Sequence, residues 1–403
     1  HKPTIMPSVI PESSLKREEN HIKGFTPEVF WLEAGKNSKD EERLALRPTS
    51  ETVYTPMFAL WIRSHRNLPM KLYQKGSVFR SDTKATRPLI RGREFYWIEC
   101  HDAFATKQQA EAQVLEDIDT TEKIMHKTFG IPFLPMKRPS WDKFAGAEYT
   151  IGSDVLMPDG KLIQQPSTHF MGQRFSKAFN ATFKNEEGKE EYIWTTAYGP
   201  AISRILVSII SMHGDDKGLV LPFSVSPIQT VIVPIFTADN KAKILKYCQE
   251  VKSKLEKEMI KVEIDSSEGY SPGWKFHEWE LKGVPFRIEI GEKELESKKM
   301  TLYIRDINKK NVLGLNELSK LKALGQNFDE RLRKKAEGFM KDKISDCKTK
   351  EEIGKAVKSG KIARVNFCSM EKQGVACAEE VEKEFGANIR GTLANKKEIP
   401  KDR

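Results

Sequence analysis

Phe79-Arg80-Ser81-Asp82, a basic loop, and then Arg91-Gly92-Arg93-Glu94-Phe95-Tyr96-Trp97-Ile98-Glu99-Cys100-His101 form the stretch whose reading decides this chain. Residues 71–80 and 95–101 read as strands that face each other across the loop at 81–88. Far downstream, Gly199-Pro200-Ala201-Ile202-Ser203-Arg204 is a turn that ends in a third arginine. A bent nucleoside triphosphate needs such a set. One guanidinium, Arg80, reaches the α-phosphate and a second, Arg91, reaches the γ-phosphate. The adenine lies between the Phe95 ring and the guanidinium of Arg204. Each arginine alone reads as a surface ion pair; the spacing of the set carries the functional reading.

Working outward, residues 3–221 alternate strand-like and loop-like segments, with one clear helix over 107–128 whose Val114, Ile118 and Met125 are spaced for a buried stripe. Further strands are predicted at 161–169 and 191–198. This pattern predicts an α+β domain on an antiparallel sheet. The polar cluster His213-Gly214-Asp215-Asp216-Lys217-Gly218 marks a boundary, so residues 1–221 are the first domain. Residues 222–312 then read as a small α/β domain in βαβαββ order. Residues 313–403 hold a long Lys- and Leu-rich helix over 316–344 and a small α/β C-terminal domain.

The 403 residues are 31% charged and 38% hydrophobic, with a net charge of +10. No apolar run approaches the roughly 20 residues of a membrane span. The basic excess falls late in the chain, as in Arg331-Leu332-Arg333-Lys334-Lys335. It reads either as solvated helix faces or as a surface for a polyanion. Five cysteines at irregular spacing (Cys100, Cys248, Cys347, Cys368 and Cys377) argue against a disulfide framework and for a reducing cytoplasm. The chain begins at His1, not Met, so further residues are expected upstream.

The two arginine segments and the Arg204 turn resemble motifs 2 and 3 of class II aminoacyl-tRNA synthetases. Other runs narrow the resemblance to the prolyl-tRNA synthetase family of archaeal and eukaryotic type. They are Gly24-Phe25-Thr26-Pro27-Glu28-Val29, Arg47-Pro48-Thr49-Ser50-Glu51-Thr52, Phe144-Ala145-Gly146, Gln164 to Phe175, and Tyr270-Ser271-Pro272-Gly273-Trp274-Lys275-Phe276. The resemblance implies ligation of L-proline to tRNA(Pro) through a prolyl-adenylate, with ATP and Mg²⁺, in a homodimer whose first motif ends at Pro7. It implies that Thr49 and Glu51 meet the substrate ammonium, while Phe25, Trp97 and Phe175 wall its ring. Glu28, Glu99 and His101 shape the floor and entrance, and His169 is the pocket histidine. Arg80 touches both α-phosphate and carboxylate, and Asp82, Gln164, Ser167 and Ser203 join Arg91, Phe95 and Arg204 around the nucleotide. Glu280, Lys282 and Arg287 are implied to read anticodon bases.

Some positions depart from the family pattern. Asp82 stands for a usual Glu, Cys100 and Ala201 for usual glycines, and Ser167 for Thr, while Gly92 lacks a hydroxyl. Arg93 and Arg204 are 204 − 93 = 111 residues apart, which leaves no room for an inserted editing domain. Cys368 and Cys377 resemble the first pair of the C-terminal zinc site of some members. No second pair follows before Arg403, so zinc is not expected. Two other readings stay open. One is a non-catalytic paralogue acting as a tRNA-binding module, although such proteins lose a motif arginine. The other is a sister class IIa enzyme such as the threonyl one. Against the latter, Cys100 and His101 are adjacent on a strand and point to opposite faces.

Overall fold

The computed structural model describes residues 1–21, 29–33, 42–81 and 85–396. Phe25, Glu28 and Asp82, all expected at the site, lie outside the described residues. The chain forms two compact units. One comprises His1–Glu122, Phe133–Val207 and Lys343–Arg403; the other comprises Lys123–Pro132 and Ser208–Asp342.

The first unit is built on an eight-stranded sheet. In chain order its strands are Lys2–Pro3 (β1), Met70–Phe79 (β2), Glu94–Phe104 (β3), Leu134–Lys137 (β4), Tyr149–Leu156 (β5), Leu162–Gly172 (β6) and Trp194–Gly199 (β7), with Thr392–Leu393 (β15) from near the chain's end. The spatial order is β1-β2-β3-β7-β6-β5-β4-β15. Only β1 and β2 pair in parallel; every other neighbour is antiparallel. The antiparallel expectation therefore holds. So does the hairpin, since β2 and β3 pair from Met70↔Ala103 to Phe79↔Glu94.

Two helices cover opposite faces of this sheet. Glu51–Trp61 (α1) follows the Arg47–Thr52 run, and its Tyr54 ring stacks on His101 at 4.4 Å. Lys107–Thr121 (α2) starts at a capping box in which Thr106 and Gln109 exchange side-chain-to-backbone hydrogen bonds. Residues 122–128 continue it with π-helical winding, so the predicted 107–128 helix is realised with a change of pitch. Val114 and Met125 are buried and Ile118 is half-buried. From α2, Asp117 accepts the Thr168 hydroxyl at 2.7 Å and Thr121 meets the Tyr198 hydroxyl at 2.9 Å. Thr168 and Tyr198 thus face α2, while His101 faces α1 on the other side of the sheet. Cys100 and His101 lie on opposite faces, as the alternation requires.

A short helix, Arg174–Ala178 (α3), follows β6, and Ile202–His213 (α4) follows β7. The second unit holds Thr230–Pro234 (β8), Lys241–Lys257 (α5), Val262–Ile264 (β9), Pro272–Leu281 (α6), Phe286–Ile290 (β10), Lys299–Ile304 (β11) and Lys309–Gly314 (β12). The sheet order is β9-β8-β10-β11-β12. β12, and the short helix Glu292–Ser297, were not legible as periodic runs. Their residues are mostly exposed, so no apolar alternation marks them. The long helix is Leu321–Asp342 (α7), preceded by a 3-10 turn at Leu315–Lys320.

Residues 343–396 form a parallel pair, Ile344–Asp346 (β13) with Ile362–Arg364 (β14), and two helices, Lys350–Lys358 (α8) and Val375–Phe385 (α9). This segment is tied to the first unit. β15 extends the large sheet, and Arg390 donates to both oxygens of the fully buried Asp154 at 3.0 and 3.1 Å.

Candidate active site

Arg80, Ile90, Arg91, Gly92, Phe95, Leu162, Ile163, Gln164, Ala201, Ser203 and Arg204 line one cavity of about 270 Å³. The fold brings them together from three places. The β2–β3 hairpin supplies Arg80, Arg91 and Phe95. β6 supplies Gln164. The turn from β7 into α4 supplies Ser203 and Arg204, and it docks on β3 through Ile98 N–H to the Pro200 carbonyl at 3.1 Å. Arg204 is held by two carbonyls, with Nε to Ile90 at 3.0 Å and Nη1 to Gln164 at 3.3 Å. The Arg80 guanidinium lies 5.3 Å from the centre of the Phe95 ring. Burial, and then the charges of Arg80 and Arg91, depress the pKa of Arg204. Among the described residues no carboxylate lines the cavity. Three cations around a cavity with no acid in its described lining make a site for a polyanion.

Gln164 is oriented from behind. Its side-chain oxygen accepts from Arg138 at 3.0 Å, which leaves the amide N–H groups to offer to a ligand. Arg138 is buried and grips Asp154 at 2.7 and 2.6 Å. Ser167 does not line the cavity. It faces His169 instead, Oγ to Nε2 at 3.0 Å.

Beside this cavity a second set converges at the start of α1. Thr49, Ser50 and Glu51 are all buried. The Thr49 hydroxyl donates to Glu51, and the Ser50 hydroxyl donates to Glu99. Gln74, opposite Glu99 in the β2–β3 register, donates to Glu99 at 2.6 Å. Glu99 in turn meets His101 Nε2 at 3.2 Å. Burial works against both charges, but the hydrogen bond and the mutual attraction prevail. His101 is raised and Glu99 lowered from their ordinary values. Arg80 Nε donates to the Pro48 carbonyl at 3.4 Å, joining this set to the cavity.

His169 behaves in the opposite way. Burial, and then the charges of His101, Arg80 and Arg138, push it down to about 3. Its Nδ1 meets the Thr150 hydroxyl at 2.9 Å, so a neutral ring is held at both nitrogens. The Phe144 ring meets His169 edge-on at 5.3 Å. Gly146 lies so close to Phe144 and Phe175 that a Cβ there would be 2.9 and 2.6 Å from their rings. Phe175 is buried behind this loop. Trp97 packs edge-to-face on Phe95 at 5.5 Å, and among the described residues its buried indole N–H has no acceptor.

In the second unit, Glu280 and Lys282 sit at the end of α6 and Arg287 on β10. Arg287 is buried between the rings of Phe276 and Tyr303, at 4.1 and 4.3 Å. It is paired to Glu280 at 2.9 Å and Glu289 at 3.0 Å. Lys282 pairs with Glu278 at 3.1 Å. The exposed Cys368 and the half-buried Cys377 are within thiol hydrogen-bonding reach of each other. Among the described residues no three or more His, Cys, Asp and Glu side chains converge as a metal site.

Sequence reasoning missed Gln74, Tyr54, Arg138 and Asp154. It also missed the role of Arg47, whose guanidinium bonds the Met6 and Pro7 carbonyls at 2.9 and 3.2 Å and Ser77 at 3.2 Å. A buried arginine facing carbonyls leaves no mark in spacing.

The chain matches two family descriptions: "tRNA synthetase class II core domain (G, H, P, S and T)" over residues 30–213 and "Anticodon binding domain" over residues 229–323. It is 47% identical to a protein of Thermofilum pendens named proline–tRNA ligase, over 99% of this chain and 82% of that one. It is 43% identical to a protein of the same name from Methanopyrus kandleri, over 97% and 80%. Among solved structures, Giardia lamblia prolyl-tRNA synthetase in complex with prolyl-adenylate superposes with a TM-score of 0.94 at 36% identity, covering 100% of this chain and 84% of that one. With identity at this level sustained over nearly its whole length, the chain belongs to the prolyl-tRNA synthetase family of class II aminoacyl-tRNA synthetases.

Proposed function

We propose that this chain ligates L-proline to tRNA(Pro), using ATP and passing through an enzyme-bound prolyl-adenylate. The observation that carries the reading is the convergence of Arg80, Arg91 and Arg204 on one cavity, joined through Arg80 to the Thr49–Glu51 set. In the first step the proline carboxylate attacks the α-phosphorus and pyrophosphate leaves. Two anions must meet, so catalysis is positioning and charge compensation. Arg80 would offset both anions. Arg91 would take the γ-phosphate, while Phe95 and Arg204 would clasp adenine. Gln164 would offer its amide to the nucleotide. Glu51, with the Thr49 hydroxyl already donated to it, would receive the proline ammonium. His169, held neutral, would serve as a fixed hydrogen-bonding wall and not as a proton source. In the second step a ribose hydroxyl at the tRNA 3′ end attacks the acyl carbonyl and AMP leaves.

Mg²⁺ would enter bound to ATP, as part of the substrate, because the phosphates need further charge compensation. All three motif arginines are present, which favours a catalyst over a non-catalytic tRNA-binding paralogue. A homodimer acting in the cytoplasm, beside the rest of translation, completes the reading. For the anticodon, Glu280 is the favoured reader, because Arg287 is buried and serves to orient it.

The test is ATP–pyrophosphate exchange with each amino acid in turn, without tRNA. Proline-dependent exchange that Arg80→Ala abolishes supports the reading. Exchange driven by threonine or another amino acid would overturn the pocket assignment.

A further inference from the structure

A second, larger hollow lies on the first unit, away from the nucleotide cavity. It measures about 680 Å³ and is lined by Ser140, Trp141, Lys143, Ala145, Arg174 and the turn Glu371-Lys372-Gln373. Three separate segments build it: the 140–145 loop, the start of α3, and the turn before α9. They are fastened together. Ser140 N–H donates to the Met370 carbonyl at 2.9 Å. The buried Gly374 brings the C-terminal turn so close that a Cβ there would stand 3.1 Å from the Trp141 ring. The hollow is thus a product of docking residues 369–374 on the catalytic unit.

Each segment contributes one cation: Lys143, Arg174 and Lys372. Glu371 is the single acid in the described lining. Two of the cations are turned onto backbone carbonyls of one loop, Lys143 Nζ to Ala147 at 2.5 Å and Arg174 Nη1 to Ala145 at 3.2 Å. Burial, and then the charge of Arg174, lower the pKa of Lys143 against the pull of Glu371 and Glu148. Cations that repel one another around an open hollow are relieved by an anion. The hollow is far larger than one phosphate group, so a chain of phosphodiesters fits it better than a lone ion. The loop that these cations hold carries Phe144 and Gly146, which pack on His169 and Phe175. The site is therefore one loop away from the proposed proline slot.

We propose that this hollow binds backbone phosphates of the acceptor end of the tRNA substrate, through Lys143, Arg174 and Lys372. The proposal rests on the prolyl-transfer reading above, and it adds a binding surface that only the docked C-terminal segment creates.

The experiment uses the full chain with Lys372→Gln and with the charge reversal Lys372→Glu. Two rates are measured: tRNA charging across a salt series, and proline-dependent ATP–pyrophosphate exchange without tRNA. The expected result is a KM for tRNA raised about 3-fold in Lys372→Gln and on the order of 10-fold in Lys372→Glu, with exchange unchanged. The dependence of log KM on log salt should flatten by about 0.7 for each phosphate that is no longer neutralised. A KM for tRNA that stays at the wild-type value would overturn the proposal. So would a parallel fall of exchange and charging in Lys372→Gln, which would mark a structural role. Wild-type protein that shows no proline-dependent exchange would instead overturn the function reading, a result distinct from either.

Discussion

The Glu99 carboxylate and the His101 imidazole stand 3.2 Å apart on one face of β3, both buried, and each favours the charged form of the other. Each lies two residues from the other, so the strand's alternation puts them side by side. Ser50 and Gln74 complete the shell around Glu99, and the Tyr54 ring lies on His101. The floor of the proposed proline slot is therefore a closed polar network, whose parts stabilise one another only while both charges persist.

That pairing has a definite pH signature. The folded pKa of His101 is raised, so its contribution to stability is fully present below its unfolded value of about 6.5 and is lost as pH rises through the folded value. Glu99→Gln removes the cause of the raise. The His101 titration followed by NMR should move to lower pH. The stability gap between wild type and variant should narrow as pH rises above neutral. An unmoved His101 titration would show that Glu99 is not its partner.

Asp117 behaves as a carboxyl that resists ionisation. Burial between α2 and the sheet raises it to about 7, against the hydrogen bonds from Thr168 and Gln113. A raised carboxyl penalises the folded state increasingly as pH climbs from its ordinary range through the folded value. Asp117→Asn mimics the neutral form. Its melting temperature relative to wild type should be more favourable at pH 8 than at pH 5, as measured by thermal denaturation. Equal shifts at the two pH values would contradict the assignment.

Arg204→Lys keeps a positive charge but loses the planar fork that bonds the Ile90 and Gln164 carbonyls. kcat/KM for ATP in the exchange assay should fall on the order of 100-fold, the scale of losing one preorganised electrostatic group. The KM for proline should change little, because Arg204 lines the nucleotide cavity and not the Thr49–Glu51 set.

Arg47→Ala should be a folding variant. It leaves the buried Met6 carbonyl, and the part-buried carbonyls of Pro7 and Ser77, without this donor. Unfolding in urea should show a loss of about 3 kcal/mol or more, since each abandoned buried partner costs about 1–3 kcal/mol. Arg47→Lys should recover only part of it, having a single nitrogen to offer several acceptors.

Glu280→Gln should separate the two reactions. Glu280 lies in the second unit, so tRNA-free exchange should keep its wild-type rate. The KM for tRNA should rise about 5-fold or more if Glu280 accepts from a base amino group, whose loss is worth about 1–3 kcal/mol. Unchanged charging kinetics would remove Glu280 from the anticodon reading.

What the sequence by itself determined was local or periodic. Alternation placed the β2–β3 hairpin and the faces of Cys100 and His101. The apolar stripe of Val114 and Met125 placed α2. The spacing of Arg80, Arg91, Phe95 and Arg204 was legible because a triphosphate demands particular charges from particular elements. Only the tertiary structure decided which partners meet across the sheet. Gln74 reaches Glu99 through strand register, Arg138, itself gripped by Asp154, donates to Gln164, and Arg390 returns from the chain's end to the same Asp154. Arg287, expected to donate to anticodon bases, is sandwiched and paired because β10 is covered on both faces. The Gln74, Arg138 and Arg390 pairings join residues 25, 26 and 236 positions apart, where neither propensity nor periodicity carries a signal. Closing the chain on itself is what sets their distances.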